Sequence, residues 1–423
     1  MQSLKMAPLV VALLLLLTTS TPAQQIRTSG APNPAIDYQR LTRIDTLIHT
    51  YLRNNWLKGL VTLVVKDNQV VQYKGYGSLD TQGKIPMPKD ALFRLASQSK
   101  ALVSTAILTL YEQGKFTLDE PIWHFIPAFQ HPTVLNQYHA ADTTYTTLPA
   151  KREITFRDLL THTSGIDYPV IGSPNMKAIY AKNNLSSGLG VVDQNLLERM
   201  QVLAKLPLAH QPGERWTYGL SIDVLGALVE VISGKDLETY LRETIFQPLG
   251  MKDTYFNVPA AKAGRLAAVY TEDSLQHVIP MTEIAGVDPN YPLAKKHYFS
   301  GGAGLTGTAW DYAIFLQMLL NHGTYNGAKI LSPRTVEIMT SGQLAFTFNG
   351  ADNFGLGFDI TSDTSAARNP RNAGSFAWGG YFGTTYWADP KAHLIVLIMT
   401  QQSPNTHYDY SYKLEELIYQ AIQ

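Results

Sequence analysis

Residues 93–115 read "FRLASQSKALVSTAILTLYEQGK". A polar quartet, Ser97-Gln98-Ser99-Lys100, runs straight into an apolar segment of helical composition. A lysine facing the interior one helical turn from a serine is costly unless it is paired or has chemical work to do. Side chains at i and i+3 share a helix face, so the Lys100 amine can lie against the Ser97 hydroxyl. A serine hydroxyl is a weak nucleophile until a neighbouring base draws off its proton. A lysine in a dry pocket can be that base or relay the proton, and the helix N-terminus favours developing negative charge. Ser-x-x-Lys alone is a weak pattern. A helix-start serine followed by a solvated lysine is the plain alternative, so the surroundings have to decide.

The chain has 423 residues, 45% hydrophobic, enough for one large domain with a substantial second lobe. Charged residues make up only 16%, with 34 acids balancing 34 bases and no basic stripe, which argues against nucleic-acid binding. There are no cysteines, so thiol catalysis, disulfides and thiolate metal sites are excluded. Residues 1–23, with Lys5, the apolar run "PLVVALLLLL" and the small residues of "STPAQQ", read as a cleavable export signal cut after Ala23. The expected location is therefore secreted or periplasmic. Residues 24–35 are polar and rich in Pro and Gly and read as a linker. Residues 36–423 are expected to form the functional domain.

Apolar residues from Ile36 to Leu52 recur at helical spacing. "GLVTLVVKDNQVVQYKGYG" (59–77) is two β-rich runs around Asp67-Asn68, a hairpin signal. Helical patterns dominate from about 97 to 340. "SIDVLGALVEVISG" ends at Gly234, a Thr308/Asp311 pair resembles a capping box, and Ser332-Pro333 opens another helix. Short strands return between about 354 and 400, and "YKLEELIYQAI" closes as a helix. The expected fold is α+β: one antiparallel sheet made from both ends of the chain, flanking helices, and a large, mostly helical insertion. Residues 131–152 and 167–192 read as surface excursions of the kind that often shape binding sites.

Several blocks in this order resemble the serine β-lactamase and penicillin-binding protein superfamily, in its class C β-lactamase-like branch. They are "LFRLASQSKALVSTAILTLYEQGKFTLDEPI" (92–122), "ITFRDLLTHTSGI" (154–166), "LPLAHQPGERWTYGLSIDVLGALVEVISGK" (206–235) and "SGGAGLTGTAWDYAIFLQMLLNHG" (300–323). Ser-x-x-Lys is itself a motif of that superfamily. The resemblance covers roughly residues 36–420. It implies Ser97 as acylated nucleophile, with Lys100 and Tyr218 of "WTYGLS" as its proton-transfer partners. It places Trp378-Gly379-Gly380 on the substrate-side strand and makes the amides of Ser97 and Tyr381 the oxyanion hole.

Two departures stand out. The family's Tyr-x-Asn is here Tyr218-Gly219-Leu220, and the basic residue of its third motif is here Trp378. An indole in place of a cation removes a charge-assisted contact to a substrate carboxylate. Both motifs are similar to those of family VIII carboxylesterases, which share the fold and cleave small esters. The expected function is an exported serine hydrolase of small esters or other small acyl substrates, without metal or cofactor. Arg368, Arg371 or Lys391 could instead supply a carboxylate partner. That keeps open a cell-wall peptide substrate, with D-Ala-D-Ala carboxypeptidase or weak β-lactamase activity. A non-catalytic cell-wall-binding or scaffold descendant of the fold is the alternative from another class. No Gly-x-Ser-x-Gly elbow occurs, and His162 of "THTSG" is expected to be structural. Oligomeric state is not legible.

Overall fold

Two strands that are apolar along their whole length set the architecture. In chain order the frame is helix α1 (Arg43–Arg53), strands β1 (Gly59–Lys66) and β2 (Gln69–Gly77), and helices α2 (Ser99–Glu112), α3 (Ser221–Ser233) and α4 (Ala309–Leu320). Strands β3 (Asn353–Phe354), β4 (Asp359–Ile360), β5 (Phe376–Gly379), β6 (Thr385–Asp389) and β7 (Leu394–Thr400) follow, then helix α5 (Tyr410–Tyr419). The structure is a computed structural model and describes residues 25–28, 30–190, 193–283 and 288–423. The export signal expected at 1–23 lies outside the described residues.

A seven-stranded antiparallel sheet runs β3-β4-β5-β6-β7-β1-β2. It joins both ends of the chain, as the strand pattern predicts: Leu60 of β1 pairs with Thr400 of β7. β1 and β7 are buried throughout because helices cover both faces. On one face Ile44 and Ile48 of α1 and Leu414 and Ile418 of α5 meet Leu60, Val64, Val396 and Ile398. On the other, Val61, Leu63, Leu397 and Met399 join the larger core that holds α2, α3 and α4. Each fully buried aliphatic side chain contributes about 1.5–3 kcal/mol. The β1–β2 turn holds Asp67 at φ 50° and Asn68 at φ 60°, the left-handed pair that a two-residue hairpin requires.

Helix α2 is buried on every side from Ser99 to Leu110, as its nearly unbroken apolar composition demands. This burial carries Lys100 into the interior. α3 ends at Gly234, φ 71°. The expected capping box of α4 is half made. Thr308 Oγ1 accepts from the Asp311 amide, but the Asp311 carboxylate turns away to the Asp253 amide (2.6 Å) and the Thr254 hydroxyl (2.9 Å).

The two expected surface excursions carry structure of their own. Thr133–His139 and Thr144–Pro149 pair as a β-ribbon, and Leu135 is tied to Leu208 by a backbone hydrogen bond of 2.8 Å. Its strands are Thr- and Tyr-rich but mostly polar, so a pattern keyed to buried apolar runs passes over them. Pro174–Lys182 is a helix that buries Met176, Ile179 and Tyr180. The segment expected as a linker lies along the sheet: Arg27 bridges Gln69, and the Asn33 side chain donates to the Lys66 carbonyl at 3.0 Å.

Candidate active site

Ser97 stands in a short 3-10 turn, Ala96–Gln98, immediately ahead of α2. Ala96 holds φ 45°, a left-handed conformation that costs an L-residue about 1–3 kcal/mol and that clusters at functional turns. The strained turn leaves Ser97 half-buried while its neighbours Ala96 and Gln98 are fully enclosed.

Lys100, one turn on, is 1% exposed. Its Nζ donates to the Gly302 carbonyl at 2.7 Å and to Ser97 Oγ at 3.2 Å. The Tyr218 hydroxyl donates to the same Ser97 Oγ at 2.6 Å, and Lys100 Nζ sits 4.6 Å from the Tyr218 ring centroid. The hydroxyl, the amine and the phenol, far apart in sequence, thus meet at one oxygen. Gly219 lets this happen, because a Cβ there would lie 2.0 Å from the Ile166 carbonyl oxygen. Leu220, where the family carries an amide, is buried in the core.

The end of β5 abuts the Ser97 turn. A Cβ on Gly380 would meet the Leu95 carbonyl oxygen and Thr384 Oγ1, each at 2.3 Å, so only glycine fits. The Gly380 amide donates to Thr384 O at 2.7 Å in the tight β5–β6 turn. Tyr381, next along, is 42% exposed at the rim. Trp378, Gly379, Gly380 and Tyr381 therefore lie on backbone packed directly against the Ser97 turn.

Trp378 belongs to an aromatic wall. Its ring centroid is 5.6 Å from Tyr218, 5.4 Å from Phe354 and 6.4 Å from both Trp216 and Phe348. Trp216 stacks nearly parallel to Tyr218 at 5.8 Å. His162 packs behind Tyr218 at 5.0 Å with neither ring nitrogen hydrogen-bonded, and burial beside the Lys100 charge holds it well below the usual imidazole range. It does not hydrogen-bond Ser97 and acts as a neutral packing group. Tyr168, stacked on Tyr218 at 5.6 Å, is held well above the usual phenol range, by burial first and by Tyr218 second.

The three basic residues proposed as carboxylate partners do not reach this site. Gly379, at the site end of β5, pairs with Thr385, whereas Phe376 pairs with Ala388 at the opposite end. Arg368 and Arg371 precede Phe376, and Lys391 follows Asp389, so all three belong to the far end. Arg371 is engaged there by Glu415 at 2.5 Å and by the Trp387 ring at 4.7 Å. Sequence reasoning also missed Gly302, whose carbonyl accepts a hydrogen bond from Lys100. The one trace of it is the glycine run "SGGAG" at 300–304.

The beta-lactamase family model matches residues 44–419 of this chain. The chain is 35% identical over 369 residues to Protein Rv1367c of Mycobacterium tuberculosis, covering 84% of this chain and 88% of that one. It is 31% identical over 379 residues to Esterase EstB of Burkholderia gladioli, covering 87% and 91% respectively. Among solved structures it is similar to EstCE1, a hydrolase with promiscuous acyltransferase activity. The TM-score is 0.78 at 26% identity, over 90% of this chain and 99% of that one. The chain belongs to the beta-lactamase family, within the serine β-lactamase and penicillin-binding protein superfamily, and carries its α+β fold.

Proposed function

We propose that this protein is an esterase that works through an acyl-enzyme on Ser97, with small uncharged esters as substrates. The observation that carries the reading is the contact of Ser97 Oγ with both the Tyr218 hydroxyl (2.6 Å) and Lys100 Nζ (3.2 Å). As Ser97 Oγ attacks the ester carbonyl carbon, its proton passes to the Tyr218 oxygen. Lys100, with its Nζ 4.6 Å from the Tyr218 ring, stands close enough to assist that transfer. The carbonyl electrons move onto oxygen, which the Ser97 and Tyr381 amides hold. One such donor is worth about 2.7–4 kcal/mol in the transition state. Collapse breaks the bond to the alcohol, which leaves with the proton from Tyr218. Water then attacks the acyl carbon by the same route, releasing the acid and restoring Ser97.

The preference for uncharged esters rests on the wall of Trp216, Phe348, Phe354 and Trp378, and on the distance of Arg368, Arg371 and Lys391 from the site. The likeness to EstB, an esterase, supports the ester part of this reading. A fluorophosphonate probe should label the wild type and leave Ser97→Ala unlabelled. In a panel, p-nitrophenyl acetate and butyrate should turn over well ahead of a chromogenic cephalosporin and a D-Ala-D-Ala peptide. Faster peptide turnover would reverse the substrate assignment, and an unlabelled wild type would favour a binding protein. Export is part of the same proposal, and the N-terminal sequence of the mature protein tests the cut after Ala23.

A further inference from the structure

Asp223 occupies the first turn of α3, a little over one turn beyond Tyr218, and is fully buried. Its Oδ1 accepts from the Ser300 hydroxyl at 2.7 Å and, at 3.5 Å, from Tyr298. Its Oδ2 makes no hydrogen bond of ordinary geometry, although the Gly302 amide lies near enough to favour the charge. A buried carboxylate with an unsatisfied oxygen costs several kcal/mol, so such a group calls for a reason.

Gly302 supplies one. A Cβ on Gly302 would stand 2.4 Å from Asp223 Oδ2 and 3.4 Å from Lys100 Nζ. Carboxylate and amine therefore face each other across a residue whose missing side chain keeps the path between them clear. The same residue's carbonyl accepts a hydrogen bond from Lys100. The other titratable groups around the carboxylate are the phenols of Tyr168 and Tyr298, both pushed well above their usual range by burial, with Tyr218 behind Lys100 and Arg199 beyond Tyr298. Lys100 is thus the cation nearest the carboxylate among the described residues. Burial pushes the Asp223 carboxyl up to about 6, against a smaller opposing pull that includes Lys100, which leaves it ionised at neutral pH.

We propose that Asp223 is a positioning residue: across Gly302 it supplies the counter-charge that holds the Lys100 side chain in place beside Ser97. This rests on the assignment of Ser97 as nucleophile and deepens it. It leaves Tyr218 as the group that takes the Ser97 proton, with Lys100 as the fixed cation beside it.

The test is the rate of fluorophosphonate labelling of Ser97 against pH, with the thermal midpoint of each variant. Asp223→Asn should slow labelling about tenfold at neutral pH and draw the alkaline limb of the profile down by about one unit or more, the usual effect of removing a charge at this range. Its midpoint should fall, because Lys100 is left a buried cation without its counter-charge. Ser300→Ala keeps the charge but removes a donor to it. The alkaline limb should hold its place while the acid limb moves up, and this variant carries the test if Asp223→Asn does not fold. A folded Asp223→Asn with the wild-type profile overturns the proposal, as does a Ser300→Ala profile with an unmoved acid limb. A wild type unlabelled at every pH overturns the nucleophile assignment and this inference together. That outcome is distinct from a normally labelled wild type beside an unchanged variant.

Discussion

The floor of the site and its wall are built on opposite rules. The floor is polar and enclosed: Lys100 and Asp223 are fully buried and hydrogen-bonded through backbone and hydroxyls, and Gly302 stands between them. The wall is made of rings, Trp216, Phe348, Phe354 and Trp378, joined by tilted and edge-on contacts and partly open. Tyr218 belongs to both, with its hydroxyl on the floor and its ring in the wall. In the proposed function the floor fixes what reaction is possible, and the wall selects what enters. Floor substitutions should therefore act on kcat and wall substitutions on KM.

The largest effect should come from Tyr218→Phe, which keeps the wall and removes one oxygen from the floor. Esterase kcat should fall by about 10²–10⁴-fold, with KM and thermal midpoint near those of the wild type. A large KM change with kcat intact would show that the two regions are not separable. Next is Gly380→Ala, whose new methyl meets Leu95 O at 2.3 Å and forces β5 away from the nucleophile turn. Loss of one oxyanion donor predicts a kcat fall of about 10²–10³-fold. Steady-state kinetics on one p-nitrophenyl ester checks both.

Trp378→Ala should raise KM for a butyrate ester about tenfold, on the order of the 1.4 kcal/mol that one buried ring contact can supply. Its fluorophosphonate labelling rate should change little. Trp378→Lys, which restores a cation at the site end of β5, should improve turnover of anionic substrates relative to neutral esters. Unchanged selectivity would remove the wall from the account of specificity.

The smallest effect lies away from both regions. Burial pushes Glu230 and Asp359 up to about 7 each. Both folded-state values lie above the unfolded ones of about 4.3 and 3.9. The folded chain therefore binds more protons than the unfolded chain between about pH 4 and 7, and stability falls as pH rises through that window. Glu230→Gln should flatten this slope by about 1–2 kcal/mol between pH 5 and 8, read from denaturant midpoints. It should leave kcat and KM as they were.

The parts of the molecule that announce themselves in sequence are those with a local rule. The Asp67-Asn68 hairpin, the Gly234 stop and the apolar central strands follow from turn chemistry and hydropathy alone. Ser97 and Lys100 are visible because one helical turn brings them together, whereas Tyr218 emerges only through a family likeness. What stayed hidden is held by distant partners. Asp311 leaves its capping box because Asp253 and Thr254 arrive from another segment. Asp223 looks like an ordinary first-turn acid until Gly302 is placed opposite it. The ribbon at 133–149 escaped because its alternation is polar on both faces.

The meeting of β1 with β7 has a consequence for how the molecule comes into being. Leu60 finds Thr400 only after the long segment between them has been made. Until then one of the most apolar strands has only β2 beside it, and the turn bearing Ser97 has no β5 to rest against. Catalytic competence therefore arrives late and all at once, and nascent chains cut short before the last strands would need chaperone protection while having nothing yet to hydrolyse with.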